Sequence, residues 1–145
     1  MAAWHAMTAL AAFALMGAGP VGPLHSAPVQ IEVQNLRDGR GHVSVALCTE
    51  KTFLGEHCPY VVRASARPGS VLVVLPAIPP GTYAVQAFHD DDDSGKLERP
   101  LIGFPRKGIG FSRDAPIRFG PPRFTDAAFP VSPDGGHTEV PVRYR

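Results

Sequence analysis

A chain of 145 residues with a formal net charge of +1, 44% hydrophobic and 19% charged, can bury one globular core. Its near-neutral balance implies neither nucleic acid nor an anionic membrane surface as a partner. The 16 Pro and 15 Gly are spread among short apolar runs, which excludes a helical bundle and suits a turn-rich all-β fold.

Residues 1–28 hold no Asp, Glu, Lys or Arg, and Ala9 to Met16 form a compact apolar run. That run is too short to span a bilayer but fits the hydrophobic region of a secretory signal peptide. The basic start usual in such leaders is missing, since Arg37 is the first Lys or Arg. Small residues at Ala18, Gly22, Ser26 and Ala27 offer several cleavage points. The Ser26–Ala27 region is preferred, giving a leader over 1–27, a single domain over 28–145, and a periplasmic or secreted product with no stable membrane span. In such an oxidising compartment Cys48 and Cys58 are expected to close a short disulfide loop, because two lone thiols make neither a zinc site nor a C-x-x-C redox centre.

In chain order, Val29, Ile31 and Val33 alternate with Gln30, Glu32 and Gln34, the period of a half-buried strand. Asp38-Gly39-Arg40-Gly41 turns the chain, and Val43, Val45 and Leu47 repeat the pattern, so a hairpin is expected. Residues 49–59 are polar and pinned by the disulfide, with Phe53 returning to the core. A short strand follows over 61–66. Val71 to Leu75 is apolar on both faces and predicts a central strand covered on both sides. Thr82 to Phe88 is β-branched and aromatic, and delivers the chain into an acidic loop. After Leu97, Gly103, Pro105, Gly108 and Gly110 exclude a helix. Ile117 to Phe119 reads as extended, and Ala127 to Val131 and Thr138 to Tyr144 as closing strands. Pro141, which lacks an amide donor, places the last one at a sheet edge. The sum is a β-sandwich of about seven or eight short strands with one long Gly/Pro-rich loop region.

The acidic loop, His89-Asp90-Asp91-Asp92-Asp93-Ser94-Gly95-Lys96-Leu97-Glu98, carries the densest chemistry. Adjacent carboxylates repel and seek water or a cation. Asp90, Asp92 and Ser94 occupy the first, third and fifth positions of a calcium loop, Gly95 the sixth, and Lys96 offers its carbonyl at the seventh. Glu98 at the ninth would close the set. Leu101 at the twelfth, where a helix–loop–helix calcium site carries Glu, excludes that motif. The competing reading is a solvated acidic turn in which Asp and Gly serve only backbone geometry.

Downstream, Lys96, Arg99, Arg106, Lys107, Arg113, Arg118 and Arg123 face only Glu98 and Asp114. They read as an anion-docking surface or, more simply, as solvating charge. Phe104, Phe111, Phe119 and Phe124 form either a mini-core or the lining of a small-ligand pocket. His89, His137, Ser112 and Ser132 match no hydrolase motif, so no catalytic residues are expected.

Pro80-Gly81-Thr82-Tyr83-Ala84-Val85 and Phe88-His89-Asp90 through Gly95-x-Leu97-Glu98 resemble a bacterial exported domain, domain of unknown function 2141. Ile102-Gly103-Phe104-Pro105, Gly108-x-Gly110-Phe111-Ser112 and Phe119-Gly120-Pro121-Pro122-x-Phe124-x-Asp126-Ala127-Ala128-Phe129 agree with it. The resemblance covers about residues 29–144 and implies an immunoglobulin- or prealbumin-like sandwich without an established activity. The family typically places Asn or Asp at 92 and 94 and Asp at 98, and the Cys48–Cys58 pair is not a family trait. The expected product is thus a non-enzymatic envelope module with a calcium-binding loop, facing an envelope protein or glycan. A small-ligand carrier or sensor, with its pocket under the 99–124 loop, is the alternative.

Overall fold

The computed structural model describes residues 25–96 and 106–144; the proposed leader therefore lies almost wholly outside the described residues, as do Glu98 and Phe104. Among the described residues eight strands form a β-sandwich. β1 (Ala27–Leu36), β4 (Gly69–Ile78) and β8 (Gly136–Pro141) make one sheet in the order β4-β1-β8. The other runs β3 (Tyr60–Ser65), β2 (His42–Cys48), β5 (Gly81–Asp90), β6 (Ile109–Phe111), and β7 (Phe129–Val131) also pairs with β5.

The alternation read in the sequence decides what faces inward. Val29, Ile31 and Val33 of β1 meet Val43, Val45 and Leu47 of β2 in the main core, with Val85, Ala87, Val140 and Val142 closing it. These two strands do not form the expected hairpin. β1 pairs with β4 and with β8, while β2 pairs with β3 and β5. The Asp38–Gly41 turn instead carries the chain from one sheet to the other, and two half-buried strands facing across a sandwich satisfy the same alternation as two neighbours. Gly41 is required at this corner. Its φ is +65°, and a Cβ there would collide with the Asp90 carbonyl oxygen.

The apolar run in β4 is corrected as well. It is an edge strand, not a central one, and Leu72 and Val74 stand exposed on its outer face. The strand covered on both faces is β5. Tyr83, Val85 and Ala87 point into the main core, and Ala84 points into a second one with Phe111, Ala115 and Ala127. Hydrophobicity marks what can be buried, not which strand receives neighbours.

The second core is roofed by Phe53, Leu54, Ile117 and Phe124. The Cys48–Cys58 disulfide closes the loop that carries Phe53, whose ring packs edge-on against Phe111 and Phe124. Gln86 of β5 holds the same loop through the Leu54 amide and the Gly55 carbonyl. The segment 115–123 is irregular rather than extended, and a one-turn helix, α1 (Phe124–Ala127), precedes β7. β8 lies at a sheet edge as Pro141 predicts.

Candidate functional site

β5 carries the site. Its alternation turns His89 inward and Asp90 to the opposite face, and both are fully buried. The chain then wraps the Asp90 carboxylate. Asp93 and Gly95 adopt left-handed backbone, with φ of 54° and 73°. This curl lets the Gly95 amide donate to Asp90 Oδ2 at 2.8 Å and the Ser94 amide to Asp92 Oδ1 at 3.1 Å.

The expected oxygens converge on one point. Lys107 Nζ lies 2.6 Å from Asp90 Oδ1, 2.7 Å from Asp92 Oδ1, and 2.6 Å from both Ser94 Oγ and the Lys96 carbonyl. These are the first, third, fifth and seventh positions of the loop. The cation at their centre is a side-chain ammonium. Glu98 lies outside the described residues, so the closing ligand expected there is not seen. Four oxygens fall short of the six to eight that calcium takes, and an ammonium has only three hydrogens to share among them. Among the described residues no group of three or more His, Cys, Asp or Glu side chains is arranged to hold a metal ion.

Burial lowers the Lys107 ammonium pKa, but the hydrogen bonds to Asp90 and Asp92 outweigh it and the group sits above its ordinary value. The same Lys107 bond, followed by that of the Ser94 amide, holds the Asp92 carboxyl well below the usual range. Arg63 from β3 donates to Asp90 Oδ2 and Asp93 Oδ1, both at 3.3 Å, and His42 pairs with Asp93. Asp91 falls outside the cage and meets Arg37 and Arg40. Lys107, counted in the sequence among solvating charges, is the residue that sequence reasoning missed. Its signal was faint: a lysine beside Gly108 and Gly110. Those glycines let β6 pass against β8, since a Cβ on Gly108 would strike Val142 and Tyr144, and one on Gly110 the Pro141 carbonyl. That close approach fixes where Lys107 can reach.

The other candidates do not assemble. His89 is locked between Tyr144 Oη and the Arg40 carbonyl, each at 2.7 Å. The carbonyl can only accept, so Nε2 donates to it, and Nδ1 meets the phenol. His137 stands exposed on β8 in the other sheet, Ser132 in the turn before it, and Ser112 is buried in backbone hydrogen bonds. The aromatic set divides. Phe111 and Phe124 belong to the second core, Phe104 lies outside the described residues, and Phe119 is fully exposed. Phe119, Pro116, Arg118 and Pro121 border an open groove of about 410 Å³.

Fold and loop together define an all-β sandwich with a cation-centred loop at the end of one sheet. The chain belongs to a family described as an uncharacterized protein conserved in bacteria, domain of unknown function 2141, which it matches over residues 31–140. No curated protein and no solved structure matches it.

Proposed function

We propose that this chain is an exported, non-enzymatic β-sandwich module of the cell envelope, acting as a binding or structural part. Its acidic loop is held by a cation and shapes the adjoining 106–128 surface, which faces an envelope protein or glycan. Lys107 is the internal cation, and calcium is the ion that exchanges with it. The observation that carries this reading is the convergence of Asp90 Oδ1, Asp92 Oδ1, Ser94 Oγ and the Lys96 carbonyl on one point, within 2.6–2.7 Å of Lys107 Nζ. That radius is within about 0.3 Å of ordinary calcium–oxygen distances, and an ion without directional hydrogens can use all four oxygens. A non-catalytic role is supported by the buried, fully committed side chains of His89 and Ser112.

Calorimetric titration with calcium of the purified chain and of Lys107→Met tests it. Lys107→Met is expected to bind about one ion, and the parent chain at least about tenfold more weakly, because the buried ammonium must leave first. No binding by either up to about 10 mM calcium, beyond the weak end of extracellular modules, overturns the calcium reading. The groove beside Phe119 favours the alternative of a small-ligand carrier, but it is open, and Phe111 inside the second core and Phe124 on its roof do not line it.

A further inference from the structure

Among the described residues only Val61, Leu72, Val74 and Phe119 are large, apolar and exposed, and Leu72 and Val74 share the outer face of β4. β4 is ten residues long, contains no Asp, Glu, Lys or Arg, and among the described residues pairs through one edge only. Free edges expose unpaired amides and carbonyls, and proteins commonly blunt them with charge, brevity or a cover. The other edges here are blunted. β3 carries Arg63, β8 carries Glu139 and Pro141, and β6 is three residues long and bonded at Ile109 to the Arg143 backbone. β4 has none of these, apart from Pro76 near its end.

We infer that β4 is a self-association edge, and that its occupant is β4 of a second copy of this chain, antiparallel across a two-fold axis at Val73. The strand is complementary to itself in that register. Leu72 stands opposite Val74 of the second copy, and Val74 opposite Leu72 of the second copy, so two apolar cross-strand pairs form on the exposed face. Ser70 falls opposite Pro76 of the second copy, and no charge meets a like charge. The three-stranded sheets become one six-stranded sheet, and the two-fold closes the assembly at a dimer. A single edge contact lies at the small end of specific interfaces, below about 1,200 Å², so the dimer is concentration-dependent. This inference stands apart from the cation reading, since β4 contributes nothing to the loop.

Sedimentation of the purified chain from about 10 µM to 1 mM tests it. A reversible monomer–dimer equilibrium is expected, shifted to monomer by Leu72→Lys and untouched by Val61→Lys. Leu72 is 58% exposed, so the variant should unfold like the parent. Register is read by mild oxidation of cysteine variants. A mixture of Leu72→Cys and Val74→Cys should cross-link between copies, and either variant alone should not. A chain that stays monomeric overturns the inference. If its β4 amides are nonetheless slow to exchange, another segment of the same chain covers the edge. Open-ended assembly, or a dimer indifferent to Leu72→Lys, overturns it equally.

Discussion

The Ser112 hydroxyl accepts a hydrogen bond from the Val85 amide at 2.9 Å and donates one to the Ala127 carbonyl at 2.6 Å. It fills a gap in a sheet. β6 pairs with Gln86 to Phe88 of β5, and β7 with Gly81 to Tyr83. Between them the Val85 amide has no strand partner, and a side chain takes the place of one. Ser112→Ala would leave a buried donor and a buried acceptor unmet, and should cost about 1–3 kcal/mol by urea denaturation. A change within experimental error would mean that water or a backbone shift supplies both bonds.

Lys107→Met should be the most damaging single change in the acidic loop. Asp90 is fully buried and the Lys107 side chain is 5% exposed, so the variant leaves a carboxylate inside the fold with Arg63 as its remaining charge partner. Breaking a buried pair from one side costs about 3–5 kcal/mol, and Arg63 should keep this loss near the lower figure. Denaturant midpoints without metal measure it. Asp92→Asn, at a position 55% exposed, should cost far less.

The pH response should show two limbs. Asp38, bonded first by the Arg40 amide and then by its side chain, titrates at about 2, and Asp92 is likewise depressed. Below about pH 4 the unfolded chain therefore takes up protons before the folded one, and stability falls as pH drops toward 2. Lys107 has the opposite sign. Its raised value keeps its contribution intact below about 10.4, the unfolded value, and loses it above. These groups by themselves leave urea midpoints unchanged between about pH 5 and 9. A decline beginning near pH 7 would assign the transition to another group.

Replacing Cys48 and Cys58 by Ser should cost about 3 kcal/mol through the freed loop. The effect should be uneven. Amide exchange should quicken over 49–58 and in the second core that Phe53 roofs, and less in β1 and β8. Uniform acceleration across both sheets would show that the disulfide supports the whole sandwich instead.

The strands and the core were legible because period-two alternation survives even where the neighbours are misassigned. Val29, Ile31, Val33 and Val43, Val45, Leu47 face inward as read, although β1 and β2 belong to different sheets. Val71 to Leu75 misled for a related reason: an uncharged strand reads as covered, and Leu72 and Val74 are exposed. The oxygens at 90, 92, 94 and 96, which the spacing groups, all lie against Lys107 Nζ. The cation among them was illegible, because Lys107 precedes β6, whose approach depends on Gly108 lying against Val142 and Tyr144 and Gly110 against Pro141.

Val29 in the first strand lies beside Gly136 in the last, and the two run parallel. The earliest part of the fold therefore waits on the latest. The small sheet cannot close until almost the whole domain is available, and the ring closed by that pairing is nearly as long as the domain itself. Non-local pairing of this kind slows folding, since loop entropy is lost before contacts compensate for it. Nascent chains lacking β8 should hold β1 on one side only, so truncation even a few residues short of Val140 should remove cooperative folding rather than trim an end.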